Sequence, residues 1–82
     1  MATKEKSDLR IQIGKKLLDI RTSRNETIKS VAISLHIDKS VISKIEHGIY
    51  RSLTIDLLEE FAVYYGVPLE VIVSLKDMEH FK

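Results

Sequence analysis

The sequence predicts an all-α fold, a compact bundle of five helices, and three observations carry that expectation. Glycine and proline are scarce, at three and one in 82 residues, aliphatic residues dominate and tryptophan is missing. Apolar residues recur at the three- and four-residue spacing of helices, with no strand alternation. Capping and stop residues fall between the periodic stretches.

The first helix is expected from about Ser7 to Asn25, with Ile13, Leu17 and Ile20 as its apolar stripe and basic residues between them. Thr27 is placed to N-cap a second helix that contributes Val31, Ala32 and Leu35. The turn "LHID" follows, with Asp38 capping a third helix that stops at Gly48 in the C′ position. "IYRSL" reads as a loop. Thr54 opens a fourth helix with the stripe Ile55, Leu58, Phe61, Ala62 and Tyr65, halted by Gly66. Pro68 suits the first position of a fifth helix, Leu69 to about Leu75. Residues 1–7 are expected to form a flexible arm, 8–75 a single domain and 76–82 a tail.

Composition narrows the function classes. With no cysteine, disulfides and thiolate metal sites are excluded, in keeping with a cytoplasmic setting. The opening "MATKEKSDLR" lacks the apolar core of a secretory signal, and no apolar run nears the ~20 residues that cross a bilayer, so no membrane partner is expected. His36, His47 and His80 share no ligand spacing, and no metal or other cofactor is expected. Glu59-Glu60 and Asp77/Glu79 read as solvated surface, and no phosphate loop or Ser/His/Asp set is in register, so the chain is not expected to be an enzyme. The helical period buries Phe61 and Tyr65 and leaves only Tyr64 exposed. The net charge of +1 conceals an asymmetry: residues 1–53 carry eleven Lys/Arg against six Asp/Glu, a net of +5. Residues 54–82 carry two against six, a net of −4. A protein with one anion-facing surface has this pattern.

The third helix, "DKSVISKIEHG", divides into two faces. At 100° per residue Ser40, Ser43, Lys44 and His47 share one arc, Ile42 and Ile45 lie opposite, and Lys39 points outward in the first turn. Short hydroxyls let a backbone approach a DNA major groove, and lysine donates to guanine O6/N7 or to phosphate.

A short helix, a tight turn and a second helix make the helix-turn-helix layout. "TIKSVAISLHIDKSVISKIEHG" resembles the helix-turn-helix of the Cro/C1-type (XRE-like) regulators, whose bundle is of the lambda-repressor-like type. Val31-Ala32 matches the family's Leu-Ala, "LHID" its Leu-Gly-Val-Ser turn, and "VISKIEHG" its Thr-Ile-Ser-Arg-Ile-Glu-Arg-Gly. "IGKKLLDIR" and "TIDLLEEFAVYYGVPLEVI" match the flanking helices, so the likeness spans roughly residues 11–73.

The resemblance implies a recognition helix at 38–47, with Lys39, Ser40 and Lys44 reading bases and Val41 touching a thymine methyl. It implies phosphate contacts from Thr27 and the N-terminal amides of the second helix, and from Ser43, His47, Tyr50 and Arg51. It also implies a structural ion pair between Arg21 and Glu46. Three positions depart from the pattern. Ile28 replaces the family's phosphate-touching Gln, His36 replaces the turn glycine at a cost of ~1 kcal/mol, and the loop after Gly48 looks one residue longer.

The fifth helix carries more apolar residues than one face holds. Leu69, Val71, Ile72 and Leu75 are therefore expected at a dimer interface, as in relatives of this size. The expected function is a prokaryotic or phage-type DNA-binding transcriptional regulator, binding a near-palindromic operator as a homodimer, with double-stranded DNA its partner and no small-molecule ligand. Relatives of this length include phage repressors, restriction–modification controllers and antitoxins. The alternative is an antitoxin-like protein-interaction module in which DNA binding is weak or lost.

Overall fold

The computed structural model describes residues 2–73, with side chains from Leu9 onward. Within that span the chain forms α1 (Ala2–Ser23), α2 (Ile28–Leu35), α3 (Lys39–Glu46), α4 (Ile55–Tyr65) and α5 (Leu69–Ile72). The fold is the expected all-helical bundle, with no strand among the described residues. Helix α1 is the spine. It packs against α3, α4 and α5, and α2 bridges α3 and α4. Leu17, Val31, Ile42, Ile45, Phe61, Tyr65 and Ile72 are fully enclosed where these helices converge. No described helix is long and apolar enough to cross a membrane.

Four helices stop the same way. After each, a residue in the left-handed region turns the chain: Asn25 (φ 58°), His36 (φ 57°), Gly48 (φ 76°) and Gly66 (φ 69°). In each case the following amide reaches back five residues, as Ile49 N–H does to the Lys44 carbonyl at 3.0 Å and Glu26 N–H to Arg21 at 3.1 Å. This Schellman pattern satisfies carbonyls that the helix leaves open. Asparagine and histidine tolerate positive φ better than most residues with a Cβ, so two stops form without glycine.

Several boundaries and exposures differ from expectation. Helix α1 starts at Ala2 rather than near Ser7 and ends at Ser23, because the Asn25 turn interrupts it. Pro68 is the N-cap of α5 rather than its first residue (ψ 148°), and α5 ends at Ile72, with Val73 closing it. Ile55 is 59 % exposed, since the first turn of α4 projects beyond the neighbouring helices. Tyr64 is half-buried rather than exposed, because its hydroxyl turns inward to Glu26. Leu75, Asp77, Glu79, His80 and the tail 76–82 lie outside the described residues.

Candidate nucleic-acid interface

Helix α3 is mounted on α1 with almost nothing between them. A Cβ added to Gly14 would lie 2.3 Å from the Ile45 carbonyl oxygen, and one added to Gly48 would lie 2.7 Å from the Ile11 Cα. Both distances are below any real contact, so α1 and the end of α3 touch backbone to backbone only because these residues lack side chains. Ile42 and Ile45 then seal the inner face.

One guanidinium fixes the assembly. Arg21 donates from Nε to Glu46 Oε2 at 2.8 Å and from Nη2 to Oε1 at 3.1 Å, a bidentate pair. Its Nη1 donates to the Glu26 carbonyl at 2.8 Å, just before α2 begins. Glu46 is buried, and hydrogen bonding to it holds the Arg21 guanidinium above its ordinary range although burial acts against the charge. Arg21 therefore ties α1 at once to the end of α3 and to the mouth of α2.

The outer face of α3 is free. Lys39, Ser40, Lys44 and His47 are exposed, Ser43 and Val41 half-buried. Val41 packs on the edge of the core, so only part of its side chain faces outward. Among the described residues Arg21–Glu46 is the one ion pair, which leaves Lys39, Lys44 and Arg51 without a carboxylate partner there. Asp38 holds the N-cap backbone position (ψ 141°) without bonding a helix amide. Its Oδ2 instead accepts from Ser40 Oγ at 3.2 Å, which occupies the hydroxyl expected to read a base. His47 Nδ1 lies 2.7 Å from the Ser43 carbonyl, which can only accept, so that nitrogen carries the proton. Its other nitrogen donates to a phosphate only when the ring is a cation.

Helix α2 opens beside this face. Thr27 Oγ1 accepts from Ser30 N–H at 3.0 Å, capping the helix. The preceding amides, those of Ile28 and Lys29, have no carbonyl within the helix to bond. In the loop after α3, Tyr50 is half-buried against the core and Arg51 is exposed. Thr27 thus comes from the start of α2, and Tyr50 and Arg51 from the loop after α3.

The residues expected at a dimer interface divide. Val71 is 41 % exposed and Leu69 half-buried. Ile72 is only 1 % exposed and belongs to the protein's own core, because α5 lies against α1 and α4 and turns that side chain inward. In the single chain it offers almost no surface to a partner. Leu75 lies outside the described residues.

Gly14 and Glu26 take part in this architecture and were not singled out from the sequence, and Tyr64 was expected only as an exposed ring. A glycine inside a helix, where it costs about 1 kcal/mol against alanine, was the available signal for Gly14. For Glu26 and Tyr64, 38 residues apart, no local signal exists.

A family model described as helix-turn-helix matches residues 17–72, well over half of the chain. No curated protein and no solved structure matches it significantly. The matched span runs from the last third of α1 to the end of α5 and contains the α2–turn–α3 unit whole. The chain therefore belongs to the Cro/C1-type helix-turn-helix family of DNA-binding regulators.

Proposed function

We propose that the protein is a sequence-specific transcriptional regulator, of repressor or controller type, that places α3 in the major groove of a near-palindromic operator. The observation that carries this reading is the exposed face of Lys39, Ser40 and Lys44 on a helix clamped to the rest of the fold through Gly14, Gly48 and Arg21–Glu46. Lys39, Ser40 and Lys44 read base edges, with a smaller part for Val41. Thr27, the α2 amides, Ser43, His47, Tyr50 and Arg51 hold phosphates. Affinity then falls steeply with salt, because each phosphate contact releases counterions.

The protein acts as a homodimer through the α5 end. Exposed Val71, half-buried Leu69 and the exposed Leu9 of α1, which shares a small cleft with α5, support that surface. A two-fold axis there sets two α3 helices about one DNA turn apart, ~34 Å. Fluorescence anisotropy with mixed-sequence and selected duplexes at two salt concentrations tests the reading. Binding that tightens on selection and weakens with salt is expected. No binding tighter than ~10⁻⁴ M at low salt, the weak end of ordinary non-specific affinity, overturns it.

A second reading, a module whose main partner is another protein, draws on the open groove of about 760 Å³ between α2 and α4. Its wall includes Asp56, Glu59, Glu60 and the 82 % exposed Val63, a surface unsuited to DNA. Ile28, which cannot donate to phosphate from its side chain, points the same way.

A further inference from the structure

Position 26 is an awkward place for a carboxylate in a protein that grips phosphate. Glu26 immediately precedes Thr27, the N-cap of α2, and the N-terminal end of a helix attracts any nearby anion. A free carboxylate there competes with a DNA phosphate for the Ile28 and Lys29 amides, and repels the backbone besides. The structure shows where the carboxylate goes instead. Glu26 Oε1 accepts from the Tyr64 hydroxyl of α4, while the Glu26 carbonyl accepts from Arg21 of α1; Ser30 Oγ, 3.3 Å from Oε1, lies closer to the Thr27 carbonyl at 3.0 Å and has only one proton to share between them. Helices α1 and α4 therefore each supply a donor to this one residue.

Tyr64 is well held for the task. Its ring meets Tyr65 edge-on, with centroids 5.1 Å apart and planes at 62°, which fixes the direction of the hydroxyl. Hydrogen bonding to Glu26 holds the phenol above its ordinary range, so it remains a donor at neutral pH. Among the described residues the α4 backbone makes no close approach to α3, so Tyr64 acts on the interface from behind, through α2.

We propose that Tyr64 is a positioning residue for DNA binding: it draws the Glu26 carboxylate toward α4 and so leaves the N-terminus of α2 open to a phosphate. This rests on the reading of that terminus as a phosphate site.

The test uses Tyr64→Phe, which keeps the ring and deletes the hydroxyl, alone and combined with Glu26→Gln. The probe is a labelled mixed-sequence duplex of about two helical turns (~20 base pairs), followed by anisotropy across a salt series. Phosphate contacts act on any sequence, so no operator is needed. Tyr64→Phe is expected to bind about five- to tenfold more weakly, with a salt slope shallower by about one. In the Glu26→Gln background the same substitution is expected to change affinity by less than about twofold, because no charge remains to be diverted.

An equal loss in both backgrounds, or no loss in Tyr64→Phe, overturns the proposal and leaves Tyr64 a packing residue. If circular dichroism shows Tyr64→Phe unfolded, Glu26→Gln alone decides. It retains a partner for the hydroxyl, and binding weaker than wild type overturns the proposal. Failure of the wild-type protein to bind the duplex at low salt is a different result, and removes the DNA-binding reading itself.

Discussion

At the residue scale, Tyr65 presents a buried hydroxyl with no hydrogen-bond partner among the described residues. Burial, reinforced by the nearby Glu46 and Glu26 charges, pushes its phenol well above the ordinary tyrosine range. The folded protein thus holds that proton more tightly than the unfolded chain. The stabilisation is complete below the unfolded value of about 10 and is lost as pH rises above it. Tyr65→Phe removes both features, so it is expected to raise neutral stability by about 0.5–1 kcal/mol and to delay alkaline unfolding. Chemical denaturation at neutral and alkaline pH measures both effects; a loss at neutral pH would point to a hidden partner for the hydroxyl. Glu46→Ala strands the largely buried Arg21 charge and is expected to cost about 3 kcal/mol in the same assay. The two solvent-facing and buried glycines part company as well. Gly66→Ala meets no atom within 4 Å and costs only the positive φ, about 1 kcal/mol. Gly14→Ala must push the α3 backbone aside and is expected to cost more, about 1–3 kcal/mol or above.

At the element scale, the helix-turn-helix unit makes separable demands on α3 and on its flanks. Lys44→Ala is expected to relax base preference at one operator position by about 1–3 kcal/mol, whereas Arg51→Ala weakens all sequences alike. Binding-site selection followed by anisotropy distinguishes the two, and equal losses would remove Lys44 as a reader. Much of this element-level layout was legible in the residues. Ile42 and Ile45 declared the inner face by spacing, Thr27 and Thr54 declared helix starts, and Gly48 and Gly66 declared stops. His36 was legible as a left-handed residue through the turn it occupies. Other features depended on how helices meet. Ile55 fits the period of α4 yet hangs beyond its neighbours. Ile72 looked surplus on so short a helix until α1 provided a surface to receive it. The Glu26–Tyr64 contact and the approach of Gly14 to α3 exist only once the bundle has closed, so no local pattern could announce them.

At the scale of the whole molecule, charge and assembly are arranged around α1. Lys39, Lys44 and Arg51, without a carboxylate partner among the described residues, belong to α3 and the loop after it, while α4 carries Asp56, Glu59 and Glu60 and no cation. The opposed net charges of the two halves of the chain have this spatial counterpart, and it orients the molecule toward a polyanion before any contact forms. Val71→Glu is expected to shift sedimentation from dimer to monomer and to lower operator affinity at limiting protein concentration; an unchanged dimer would remove α5 from the interface. The backbone contact between α1 and α3 has a further consequence, which concerns change over time. Since Gly14 and Gly48 seat α3 without help from its outward residues, that outer surface can be rewritten while its seat stays put. On the proposed reading, positions 39, 40 and 44 are an exchangeable label on a fixed mount. Relatives with new operators can therefore arise through substitutions that fold as well as their parent.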